Sequence, residues 1–178
     1  MNPADVTTWL PSSPDETPGS ADLLALLPAG YDELRALYAG LWESGIDPVT
    51  LELCRLRMST IIRSEPGRRD PRAVAAGLDD RLVSALPSWP TSELYSPAQR
   101  AALGFAEQYV LDPHGFTDAE AAGMHEHFTP EQLATLTTAV ATFDAMTRVR
   151  ALLTVDADHT DLPVRHATFG EGLTSKGT

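Results

Sequence analysis

Between residues 30 and 44 (GYDELRALYAGLWES), apolar side chains fall at Leu34, Leu37, Tyr38, Leu41 and Trp42. The spacing i, i+3, i+4, i+7, i+8 predicts an amphipathic helix, and Gly45 ends it. Pro48 opens the next helix, over about 48–64, as proline does in a first turn. At 100° per residue Leu53, Cys54, Met58, Ile61 and Ile62 share one arc. Glu52, Arg55, Ser59 and Arg63 share the opposite arc, so Glu52 is expected on a polar stripe outside the main core face. Residues 65–71 (EPGRRDP) read as a loop, and 72–86 as one helix stopped by Pro87. After an irregular SWPTSELYS, Ser96 and Pro97 supply an N-cap and a first-turn proline for a helix to about 110. Thr117 with Glu120 forms a capping-box pattern for a helix to about 127. Thr129-Pro130 with Gln132 starts a long apolar helix to about 154.

No alternating strand pattern and no internal repeat interrupts this series. The expected fold class is therefore all-α, a compact helical bundle with short links. Its domain spans residues 22–155, beginning with a short helix at 22–27 (DLLALL) that Pro28 stops. Residues 1–21, rich in Pro, Ser, Thr and Asp, read as a flexible arm with Trp9-Leu10 as a docking point, and 156–178 as a C-terminal tail.

Composition narrows the function classes. The 178 residues carry 43% hydrophobic side chains and a net charge of -12. Such acidity disfavours a free nucleic-acid binder. The apolar runs are too short to span a bilayer. The N-terminus has neither the basic nor the apolar region of a secretory signal, so a cytoplasmic location is expected. A lone cysteine, Cys54, allows no internal disulfide and no cysteine-based metal cluster.

The charge is uneven. Of 13 basic residues, Arg55, Arg57, Arg63, Arg68, Arg69, Arg72 and Arg81 fall within residues 52–81. Guanidinium forks suit carboxylates and phosphates, so Arg63, Arg68 and Arg69, with Arg72, are candidates to clamp an anion. Glu52 is a candidate general base, against a simple helix pair with Arg55 one turn on. Ser64 could contribute to a binding site, but no base stands beside it in the sequence to make it a nucleophile. His125 and His127 are two apart on a helix and do not share a face, which speaks against zinc ligation. Asp144 and Arg148, one turn apart, read as a structural pair.

Three stretches resemble one family: LELCRLRMSTI (51–61), LVSALPSWPTSELYSPAQRAALGFAE (82–107) and HEHFTPEQLATLTTAVATFDAMTRVRALL (125–153). They look like the carboxymuconolactone decarboxylase and alkylhydroperoxidase D-like superfamily, over residues 28–155. The family pattern reads approximately E-L-x-R-L-R-x-S-x-x-N-x-C-x-x-C-x-x-x-H. Aligned on ELCRLRMS, Glu52 falls on the family glutamate, Ser64 and Gly67 on the two cysteines, and Pro71 on the histidine. A serine cannot cycle through a sulfenic acid or a disulfide, so dithiol peroxidase chemistry is not expected.

The resemblance implies an alkylhydroperoxidase D-like bundle assembled as a homo-oligomer, a trimer or a hexamer. The leading functional expectation is a cofactor-independent enzyme of lyase or isomerase type on a small anionic substrate. Glu52 would be its base, and Arg63, Ser64, Arg68 and Arg69 would bind the substrate. The alternative is a catalytically silent ligand-binding or assembly protein; residual peroxidase activity ranks below both. No cofactor, metal, nucleic acid or membrane partner is expected.

Overall fold

A computed structural model describes residues 30–64 and 66–153 of the chain. The expected N-terminal arm, the short helix at 22–27 and the C-terminal tail lie outside the described residues. Within them the fold is all-α. The helices are α1 (Tyr31–Trp42), α2 (Pro48–Ile62), α3 (Pro71–Ala75), α4 (Asp80–Ala85), α5 (Pro97–Leu111), α6 (Asp118–His127) and α7 (Pro130–Leu153). Short 3-10 turns at Leu86–Ser88 and Pro113–Gly115 complete the order.

Local chemistry sets most boundaries. Asp47 caps α2, its carboxylate accepting from the Val49 and Thr50 amides, with Pro48 in the first turn. Ser96 and Gln99 form a reciprocal capping box at α5, and Thr117 and Glu120 do so at α6. Thr129 and Gln132 exchange the same pair of bonds ahead of α7. Each box satisfies amide donors that a helix start leaves free.

The single helix expected over 72–86 is instead two. Gly77 adopts φ 105°, a left-handed conformation that ends α3. The Leu78 amide reaches back to the Ala73 carbonyl and the Gly77 amide to Val74, a Schellman pattern. Asp79 then caps α4 by accepting from the Leu82 amide. The glycine and the fresh cap outweigh an apolar periodicity that runs through both pieces.

The core is built around α2, which packs against α3, α5 and α7. Leu51, Leu53, Cys54 and Met58 are fully buried on it. They meet Ala102, Leu103 and Ala106 of α5 and Leu136, Ala139, Val140 and Phe143 of α7 within one apolar cluster. Tyr38 and Trp42 of α1 close on Phe143, with ring centroids 6.1 and 6.0 Å away. Such aromatic pairs add to simple burial through their ring quadrupoles.

The expected polar stripe on α2 is corrected here. Glu52 and Ser59 are 0% exposed and Arg55 is 2% exposed. Over residues 49–56 α2 is covered by other elements, so the polar stripe there needs partners for its charges.

Candidate functional site

Glu52 and Arg55 lie one turn apart on α2, on its face toward α3. Arg55 presents the side of its guanidinium to the Glu52 carboxylate. Nε donates to Oε2 and Nη2 to Oε1, both at 2.7 Å. The Asp70 amide gives Oε1 a further bond at 3.1 Å. Both Glu52 oxygens are therefore held.

The rest of the Arg55 guanidinium binds backbone. Nη1 donates to the Pro66 carbonyl at 2.6 Å and Nη2 to the Arg68 carbonyl at 3.0 Å. A loop that cannot pair with a strand or helix thus finds its acceptors satisfied by one side chain. Burial lowers the affinity of the Arg55 guanidinium for its proton, but the hydrogen bonds and charge of Glu52 outweigh this and raise its pKa.

Asp70, also fully buried, caps α3 by accepting from the Arg72 amide at 2.8 Å. Its carboxylate lies 3.3 Å from the Arg72 guanidinium. That guanidinium sits 5.9 Å from the Trp42 ring centroid, within cation–π range. Tyr38 borders the same cluster. Burial, with smaller contributions from Glu52 and Asp70 set against Arg55 and Arg150, pushes its phenol up to about 12.

The other candidates lie around this clasp. Arg63, expected as the last residue on the polar arc, leaves α2 at φ 59° as its exposed C-cap. Ser64 is half-buried, and its amide donates to the Ser59 carbonyl. The Arg68 side chain is exposed, and this residue reaches the clasp through its carbonyl. Arg69 pairs with Asp80 at 2.6 Å, the Asp80 side chain being 88% exposed. Gly67 has φ 65°, and Pro71 occupies the first turn of α3. The bonds to the Glu52 carboxylate come from Arg55 and the Asp70 backbone, not from the side chains of Arg63, Arg68 or Arg69.

Cys54 points away from this region into the apolar core, and burial pushes its thiol up to about 12. A thiol so placed stays protonated and is a poor nucleophile. His125, His127 and His114 are exposed. Among the described residues no group of three or more His, Cys, Asp or Glu side chains is placed to hold a metal ion. Asp144 and Arg148 form the expected pair, at 2.9 Å.

Two participants escaped the sequence reading. Asp70 reads as an ordinary loop residue, yet the Asp70-Pro71 pair carries the same cap-and-proline signal as Ser96-Pro97. Arg150 reads as one more charge near the end of a long helix, yet it is only 7% exposed. Its i, i+3 and i+7 spacing from Thr147 and Phe143 would have put it on the buried face of α7.

The fold aligns with a solved structure from Agrobacterium tumefaciens, a protein of unknown function described as a candidate AhpD antioxidant-defence protein. The match covers 82% of this chain and 100% of that one, with a TM-score of 0.64 and 18% sequence identity. The chain thus has the AhpD-like fold, as the resemblance of residues 28–155 implied. No family model matches the sequence, and no curated protein does. Among the described residues no helix is long and apolar enough to cross a membrane.

Proposed function

We propose that this chain is a ligand-binding or assembly protein on the AhpD-like scaffold, in which Glu52 is structural and not a general base. The observation that carries this reading is the state of the Glu52 carboxylate. It is 0% exposed, and both its oxygens accept hydrogen bonds from Arg55 and the Asp70 amide. A general base must come within hydrogen-bond reach of a substrate proton. Here that reach is taken by the fold itself. The clasp ties the segment after α2 to the core, at the place where the family pattern carries its cysteines and histidine.

On this reading the chain works in the cytoplasm as a homo-oligomer, a trimer or hexamer, and takes a small anionic ligand. The exposed Leu111 and Leu152, at 61% and 63%, are apolar side chains that a neighbouring subunit could cover. The cofactor-independent lyase or isomerase reading is the one to test against.

The test is turnover of small lactone carboxylates, and of organic hydroperoxides with a thiol reductant, by the full chain. The expected result is none above background, alongside a defined oligomer in sedimentation. Turnover that Glu52→Gln abolishes while the variant remains folded and assembled would restore the acid–base enzyme. Peroxide turnover lost in Cys54→Ala would restore thiol chemistry.

A further inference from the structure

A second buried guanidinium lies close to the clasp and is not matched. Arg150 of α7 is 7% exposed, and its Nε has no hydrogen-bond partner among the described residues. Its Nη2 makes only a 3.5 Å contact with the Thr147 hydroxyl. Among the ion pairs of the described residues, Glu52 is taken by Arg55 and Asp70 by Arg72. None of these pairs reaches Arg150. The indole Nε1 of Trp42, on α1 facing α7, is a second buried donor without a partner.

The charges around Arg150 sharpen the mismatch. Burial, and then the positive charge of Arg55, lower its pKa, against smaller opposing contributions from Tyr38 and Glu52. An arginine does not shed its proton in a protein, so it cannot escape by neutralising itself. A buried charge without a counter-charge is unfavourable, and the 3.5 Å contact with Thr147 offsets little of that.

The geometry names the partner. Arg55 offers Glu52 its Nε–Nη2 edge, the fork that fits a planar carboxylate bidentately. On Arg150 the same two nitrogens are the ones left open or weakly engaged. We propose that the Nε–Nη2 edge of Arg150, in the seam between α1 and α7 near Tyr38, binds the carboxylate of a small anionic ligand. This deepens the ligand-binding reading and rests on it for the chain's role, though not for the site.

The probe is sodium acetate. The unfolding midpoint of the full chain is measured as acetate replaces chloride at constant ionic strength. The wild type is expected to rise saturably with acetate, because a ligand that binds only the folded state stabilises it by mass action. Arg150→Met should show no rise, and in chloride alone should melt no lower than wild type. Arg150→Lys keeps the charge and loses the fork, so its half-saturating acetate concentration should be about tenfold higher. A wild type that does not respond, or equal responses in all three proteins, overturns the site. So does an Arg150→Met that is unfolded or clearly less stable in chloride, because the edge is then already filled by a carboxylate of the chain. An acetate-silent wild type leaves the Glu52 reading standing. Turnover that depends on Glu52 sinks that reading and leaves this site in place.

Discussion

Arg55 and Arg150 are both buried, both carried on long helices, and near enough to repel one another. Their surroundings differ in one respect. Arg55 has a carboxylate one turn away on its own helix and two loop carbonyls in reach. Among the described residues Arg150 has a hydroxyl at 3.5 Å and an Nε with no partner. The first guanidinium organises structure, because its bonds to the Pro66 and Arg68 carbonyls tie the segment after α2 to that helix while Glu52 holds it in place. The second holds open the binding capacity that the first has spent. A buried charge is thus either a fastening or a receptor, depending on whether the chain supplies its counter-ion.

The most disruptive way to break this contrast is Arg55→Met. It strands the Glu52 carboxylate and two backbone acceptors in the interior, and should cost about 3–5 kcal/mol in denaturant unfolding. A cost below that of an ordinary surface change would mean the clasp is dispensable. Glu52→Gln keeps the shape but leaves Arg55 without its counter-charge, for an expected loss of about 2 kcal/mol.

Tyr38 feels the charge of both guanidiniums, and burial pushes its phenol up from 10.0 to about 12. The folded chain then keeps a proton that the unfolded chain has lost. This contribution is intact below pH 10 and is lost as pH rises toward 12, by up to about 1.4 kcal/mol per pH unit. Tyr38→Phe should flatten stability over that window. Cys54 has the same sign from pH 9.0, so the comparison is cleanest in a Cys54→Ala background. A slope unchanged by Tyr38→Phe would place the alkaline sensitivity elsewhere.

Arg150→Met should move stability by no more than about 1 kcal/mol, and toward stabilisation, since it deletes an unpaired buried charge. The opposite signs expected for Arg55→Met and Arg150→Met are the most direct check on the contrast. Arg69→Ala should change stability by less than about 0.5 kcal/mol, because its pair with Asp80 is exposed. A larger loss would return the arginine island to the candidate site.

Much of the fold was legible because helix starts and stops are local. Pro48, Ser96-Pro97, Thr117 with Glu120 and Thr129 with Gln132 each mark a boundary through groups a few residues apart. The split of residues 72–86 was missed because periodicity carries across Gly77, where a positive φ breaks the helix. The Glu52–Arg55 pair was legible as an i, i+3 neighbour. Its burial was not, because the angular arcs of α2 say which residues share a face and not what covers that face. The arginine island was visible as composition. Its side chains were sorted only by the path of the 66–70 segment, which turns Arg68 outward and its carbonyl inward.

The sequence by itself determined an all-helical chain, the ends of most helices, the apolar arc around Cys54, and the absence of a second thiol for redox work. These follow from periodicity, capping chemistry and residue count, which need no long-range contact. Only the tertiary structure decided that Glu52 is locked and that Arg150 is buried without a counter-charge among the described residues. Both depend on which elements close over a polar face, and that is set by how α3 and α7 pack on α2 and how α1 packs on α7.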